Sequence, residues 1–217
     1  MKISMKVSRV VLLIGLFTLT ILAFANETVL IDFNTVETGS PLSIDNWRIV
    51  HPFASQTTDA LTRSSVREVQ SRLFGTIMGV RIYFPPELMR FTTQATIQPR
   101  TENSFSNLQV DGGLRLRSVS VNVNSLYLPP GLTLSITLRI NDRDSLVISM
   151  GDLRFEGWRE MTWVNPFYAQ EVENNTGFYD AVSFQNFIVH NAADHSGDTI
   201  FYIRDVIVSY DTRSSAQ

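Results

Sequence analysis

No cysteine occurs among the 217 residues, and lysine occurs only at Lys2 and Lys6. Without a thiol the chain has no disulfide framework, no thiolate nucleophile and no cysteine-held zinc. A chain of about 190 residues folds on its hydrophobic core alone, so the missing disulfides are compatible with export. The G-x-S-x-G elbow, the phosphate-binding P-loop and the H-E-x-x-H zinc helix are also missing. Long apolar runs are equally scarce, Val10 to Leu22 being the one of note.

Lys2, Lys6 and Arg9 precede that run, and Ala23-Phe24-Ala25 closes it. A basic head, a short apolar centre and a small-residue end make a secretory signal peptide over residues 1–25, with cleavage between Ala25 and Asn26. The run falls short of the roughly 20 residues a membrane-spanning helix needs. The expected product is one domain over 26–217 with no membrane contact. Of the 18 basic residues, losing those three leaves 15, all arginine, against 21 acidic ones, a net charge of 15 − 21 = −6. Such an acidic chain is poorly suited to nucleic acid or an anionic membrane. Arginine to the exclusion of lysine has two readings, a codon bias or a surface built for protein contacts, where the weakly hydrated guanidinium is favoured.

What the chain has in abundance is alternation. In Arg117–Asn124, Val119, Val121 and Val123 share one face, and Ser118, Ser120 and Asn122 the other. After the break at Pro129-Pro130-Gly131, Leu132, Leu134, Ile136, Leu138 and Ile140 repeat the pattern, and Leu146 to Met150 continues it beyond a polar turn. A period of two marks strands with one buried face, as in antiparallel sheets. Thr28–Phe33, Trp47–Val50, Thr76–Phe84 and Gly157–Val164 read as further strands, with Gly79 at a bulge or close packing point. Ala181–His190 and Thr199–Tyr210 read as a closing strand pair joined by a hairpin loop. Ser65 to Glu68 fits a capping box and predicts one short helix, or a plain loop. Pro85 to Gly113 and Gln170 to Asp180 read as long polar loops. The expected fold is all-β: an antiparallel, jelly-roll-like sandwich of eight to ten strands, like a carbohydrate-binding module, with at most one or two short helices.

Candidate chemistry is thin. His190, Asp194, His195 and Asp198 form the one His/Asp cluster, and in a glycine-containing loop they read as solvated turn residues before they read as metal ligands. Asp32 with Glu37, or Glu156 with Glu160, would serve a glycosidase only if the fold opposed them. Asp205 interrupts an apolar strand and reads as half of an ion pair with Arg204 or Arg159, with a bound calcium as the other possibility. No catalytic, cofactor-binding or metal-binding residue is assigned. Trp158 and Trp163 lie on opposite faces of one strand, so one indole should face outward. Trp158 is the candidate contact residue.

Three groups of segments resemble one known family. They are Gly79-Val-Arg-Ile-Tyr-Phe84; Arg117 to Val123 with Leu134 to Ile140 and Leu153 to Thr162; and Phe187-Ile-Val189 with Phe201 to Asp211. The Gly157-Trp158-Arg159 corner and the Ile203-Arg204-Asp205 strand are the most specific of these. Together they resemble the spirochaete flagellar filament outer-layer (sheath) protein A family. The resemblance implies a periplasmic, non-enzymatic protein without cofactors. It implies a coat of copies around the flagellin core, in contact with flagellin core subunits, other sheath proteins and itself along the filament, contributing to motility. Trp158 and Arg159 are then the expected interface residues. The rival reading is a carbohydrate-binding module gripping cell-wall glycan, with a glycosidase third. N-terminal sequencing of the exported protein is expected to begin at Asn26; a product still carrying Val10–Leu22 would replace the cleaved signal with an anchor.

Overall fold

The alternating segments pair as antiparallel strands in the computed structural model, which describes residues 25–35, 43–52, 62–86, 94–101, 107–141, 143–192 and 195–213. Eleven strands follow in order: β1 (Asn26–Asp32), β2 (Trp47–Val50), β3 (Ser65–Ser71), β4 (Gly75–Phe84), β5 (Gln94–Pro99), β6 (Asn107–Leu126), β7 (Leu132–Ile140), β8 (Asp144–Asp152), β9 (Glu156–Val164), β10 (Phe178–Asn191) and β11 (Gly197–Thr212). Among the described residues one α-helix, α1 (Tyr168–Glu173), and a 3-10 turn, Ile44–Asn46, complete the set. The architecture is an antiparallel β-sandwich. One layer runs β9-β6-β11, with β4 and then β1 sharing the far edge of β11, and β3 beyond β4. The other runs β8-β7-β10-β5-β2. The first half of β6 pairs with the first half of β10 and joins the layers.

The predicted apolar faces form the core. Val119, Val121 and Val123 of β6 and Leu132, Leu134, Ile136 and Leu138 of β7 are all fully buried. Trp47 seals one end, edge-on to Phe33 at 5.5 Å between centroids and packed at 5.8 and 6.1 Å against Phe184 and Phe187. Phe184 and Phe187 are three residues apart, which strict alternation would send to opposite faces. A register shift between Phe184 and Asn186 corrects the parity, as a bulge does by adding one residue to one strand.

Several expectations are corrected. The Ser65–Glu68 capping box opens a strand, not a helix. A cap stabilises a helix by only about 1 kcal/mol, whereas Ser65–Ser71 makes seven consecutive pairs with β4. The Ser71 hydroxyl accepts from the Leu73 and Phe74 amides at 3.3 Å, and Gly75 takes φ +69° to close the turn. The expected loop from Pro85 to Gly113 contains β5 and the start of β6. Ala95, Ile97 and Pro99 alternate inward in β5, too short a pattern, and one ending in a proline, to stand out from its polar neighbours. The expected loop from Gln170 to Asp180 holds the end of α1 and the start of β10. Finally, β10 and β11 do not pair with each other: β10 pairs with β5 and β7 of one layer, β11 with β1 and β4 of the other, and both pair with β6.

His51 ties the end of β2 to the segment before β3. Its Nε2 lies 3.0 Å from the Ser64 hydroxyl, its ring is edge-on to Phe84, and its Nδ1 is buried with no hydrogen-bond partner among the described residues. Desolvation holds its pKa below the ordinary imidazole value. The neutral form is therefore the one that folds. Its contribution is complete above about pH 6.5 and is lost as pH falls below that value towards the depressed folded one, because only the unfolded chain takes up the proton. Urea midpoints measured from pH 7.5 to 5.5 are expected to fall with pH, and His51→Gln is expected to flatten that slope; an equal slope in both proteins would refute the assignment.

Candidate interaction face

The outward side of the β3-β4-β11-β6-β9 layer concentrates the aromatic and charged side chains. Register places Arg67, Gly79, Tyr202, Asn124 and Trp158 in one row across the five strands. Their neighbours Met78, Ile203 and Val123 point inward and are buried. Gly79 is where the row dips. A Cβ there would come within 2.8 Å of Val69 Cγ2 and 3.5 Å of Tyr202 Cδ1, so the Tyr202 ring lies over bare backbone.

Beside this row, β11 bulges. The register on β6 shifts between Ile203 and Val206, which keeps both of those side chains inside and sets Arg204 and Asp205 against the single residue Asn122. Asn122 Nδ2 donates to Asp205 Oδ1 and Arg204 Nε to Asp205 Oδ2, both at 2.6 Å. Of the two expected partners, Asp205 has Arg204. The Arg204 guanidinium stands 5.0 Å over Phe74, and Phe74 lies edge-on to Trp158 at 5.0 Å. A continuous relay therefore runs from Asn122 through Asp205, Arg204 and Phe74 to Trp158. The indole is half-buried beneath this neighbour. Arg159 has the opposite parity on β9; it is exposed, with its guanidinium 4.6 Å over Phe155. The two residues singled out in the sequence sit on opposite faces of one strand, and the fold does not bring them together.

At the other end of the face Asp198 accepts from Arg81 Nε and Nη2 at 3.1 and 2.8 Å and from Arg63 Nη2 at 3.3 Å. The Arg63 guanidinium stacks 3.6 Å from the Tyr83 centroid. The hydrogen bond from Arg81 draws the Asp198 carboxyl below its ordinary pKa. Phe74, the stacked Arg63 and the Tyr202 platform escaped the sequence reading. Only Gly79 within Thr76–Phe84 signalled that something must pack closely there.

Among the described residues no group of three or more His, Asp or Glu side chains is placed to hold a metal ion. Asp198 of the His/Asp cluster is engaged by arginines, His195 N donates to Asn191 Oδ1 at 3.0 Å, and Asp194 lies outside the described residues. Glu37 also lies outside them. Glu156 and Glu160 are both exposed on β9, four residues and about 13 Å apart along the strand.

The family model described as flagellar filament outer layer protein FlaA matches residues 36–215. The chain belongs to this family. A flagellar filament outer layer protein of Spirochaeta aurantia is 29% identical over 202 residues, covering 78% of this chain and 59% of that protein. A protein of the same description from Borreliella burgdorferi is 25% identical over 201 residues, covering 80% and 57%. One from Treponema pallidum is 33% identical over 105 residues, covering 44% and 29%. The chain thus spans less than three-fifths of the length of these relatives. Among solved structures, TmCBM61 in complex with β-1,4-galactotriose superposes with a TM-score of 0.44 at 8% identity, covering 86% of this chain and 99% of that one. The family 11 carbohydrate-binding module from Clostridium thermocellum gives 0.41 at 13% identity, covering 84% and 94%.

The relay can be tested through its carboxylate. Asp205→Ala leaves the Asn122 amide and the Arg204 guanidinium without their shared acceptor. It is expected to cost about 1–3 kcal/mol, read as a lower urea midpoint. A midpoint equal to that of the parent protein would show that the bulge does not depend on Asp205.

Proposed function

We propose that the protein is a structural component of the outer layer, or sheath, of the periplasmic flagellar filament. In this reading residues 1–25 direct export and are removed, and the sandwich built by 26–217 binds the flagellin core and neighbouring sheath subunits and contributes to motility. It performs no reaction. The observation that carries this is the family match across residues 36–215, which takes in every strand after β1. The outward face supports it. Arginine and aromatic side chains are the groups protein interfaces favour, and here Trp158, Phe74 and Arg204 are already held in place by the Asp205 bulge. Side chains ordered beforehand lose less entropy when a partner arrives.

A second reading rests on the same face. Trp158 and Tyr202 stand beside Asn122, Asn124 and several arginines, the mixture of flat rings and amide donors that suits a sugar. This favours a periplasmic module that grips cell-wall glycan.

One experiment separates them. The exported protein is incubated with isolated flagellar cores and, separately, with soluble cell-wall glycan fragments. Sedimentation with cores and no response to glycan is expected. Trp158→Ala is expected to weaken core binding about tenfold or more, as for an interface anchor. It is expected to lower stability by only about 1 kcal/mol through the lost Phe74 contact. Glycan-dependent quenching of Trp158 fluorescence, with no sedimentation, would support the module instead. An unfolded Trp158→Ala protein would place the indole in the core.

A further inference from the structure

The layer β3-β4-β11-β6-β9 has two open ends. Among the described residues β3 is hydrogen-bonded to β4 alone and β9 to β6 alone. An open edge is a template for another strand, and proteins ordinarily blunt it with a bulge, a proline, a lysine or some other charge. Of these devices the two edges carry charge alone. β3 makes seven consecutive pairs and β9 nine, without a register shift, and neither strand contains proline or lysine.

The charges on the two edges are opposite in sign. On the outward side β3 presents Arg67, whereas β9 presents Glu156, Trp158 and Glu160. On the reverse side β3 presents Glu68 and β9 presents Arg159. Arg67, Glu156, Arg159 and Glu160 enter no ion pair among the described residues, and Glu68 accepts from Gln70 Nε2 at 2.7 Å. The neighbouring charges leave this pattern standing. Near β3, Arg63 and Arg81 share the one carboxylate of Asp198, and Arg72 follows the strand. Asp45 and Arg48, in the turn and strand packed beside β3, offset each other. Asp152 and Arg154, just before β9, do the same. Asp32, Arg204 and Asp205 lie at β11, two strands from either edge.

Edges patterned in this way fit each other and not themselves. Full antiparallel overlap of two β3 strands sets Glu68 against Glu68, and of two β9 strands Glu160 against Glu160, like charges directly opposite. A charged edge turns away a strand that lacks the opposite charge and admits one that has it. Four antiparallel steps separate β3 from β9, so the two run in the same direction. Moving a copy sideways by five strand spacings, about 24 Å, lays its β3 parallel to β9 of its neighbour and carries the Arg67-to-Trp158 row straight on. Arg67 then stands beside Trp158 and diagonal to both Glu156 and Glu160, where a guanidinium gains from the indole and from both carboxylates. Glu68 falls beside Arg159 on the reverse side.

We propose that copies of this chain join side by side, β3 of one continuing the layer at β9 of the next, with Arg67 set beside Trp158 between Glu156 and Glu160. The contact joins two different edges, so it does not close on itself and repeats as a row. The inference rests on the sheath reading, in which copies must repeat, and supplies that reading with its contact between subunits. One strand edge buries less than a stable free-standing interface. The contact is therefore weak in dilute solution and is reinforced when many copies lie along one support.

The cysteine-free chain allows this contact to be trapped. In the shifted arrangement Ser65 of one copy lies beside Glu156 of the next at a strand spacing of about 4.8 Å, within disulfide reach. Ser65→Cys and Glu156→Cys are made singly and together in the full chain, and are oxidised as concentrated free protein without flagellar cores. Mixing the single variants is expected to give a crosslinked pair, each alone little or none, and the double variant a ladder. Adding Glu68→Arg to the double variant is expected to cut the ladder several-fold, and adding Arg159→Glu as well to restore it. Either single variant pairing mainly with itself would reveal a two-fold contact and overturn the proposal. So would the absence of a ladder, or a ladder indifferent to Glu68→Arg, in variants whose circular dichroism spectra are native. Sedimentation of the unsubstituted protein with cores is scored separately. Core binding without a ladder removes this contact and leaves the sheath reading, whereas a ladder without core binding does the reverse.

Discussion

The pairing of β6 with β11 is the constraint on which the other elements depend. β11 receives β6 along one edge and β4 and then β1 along the other, while β6 receives β9 and, on its first half, β10 from the opposite layer. Every other strand of the layer that contains them, except β3, is hydrogen-bonded to one of these two, and β3 is bonded through β4. The fully buried residues Val119, Val121, Val123, Phe201, Ile203, Val206 and Val208 come from this pair. A one-residue slip would turn all of them to solvent, because side chains alternate strictly along a strand.

Two irregularities make that register unique. The bulge at Arg204–Asp205 and the shift at Arg117, where Ser209 faces Ser118 and Tyr210 faces Leu116, interrupt the ladder at defined points. The first also does something a straight strand cannot. It places two consecutive polar residues on the outer side, where Asp205 takes hydrogen bonds from both Asn122 and Arg204. Core parity and the ordered outer cluster therefore have one cause. The half-buried indole of Trp158 is positioned at the end of that chain of contacts, although it lies two strands from the bulge.

How much of this was legible in the sequence follows from how local each signal is. The long alternating runs of β6, β7 and β4 identify themselves, because ten residues of period two have few other readings. Asp205 announced itself as the polar interruption of an apolar strand, and its arginine partner was among those anticipated. β3 and β5 did not announce themselves. β3 carries a helix-capping pattern that only its pairing with β4 overrides, and β5 has just three inward residues, one of them a proline. The separation of β10 and β11 into different layers was hidden for another reason, since adjacent strands joined by a short turn look the same whether they pair or cross over. The outward relay needs Phe74 to fold back from a turn onto a strand more than eighty residues away, which periodicity does not encode.

The order of the strands along the chain has its own consequence. Asn122 and Asp205 are separated by 83 positions and Thr28 and Tyr210 by 182, yet each pair is in hydrogen-bonding contact. A ribosome delivers β1, β4 and β6 long before it delivers β11, the strand that all three require. Until β11 arrives they are sticky, half-dressed edges, and the layer they share cannot be finished piecemeal. Closure of that layer waits for β11, so a chain that lacks this strand leaves the edges of β1, β4 and β6 open to mispairing.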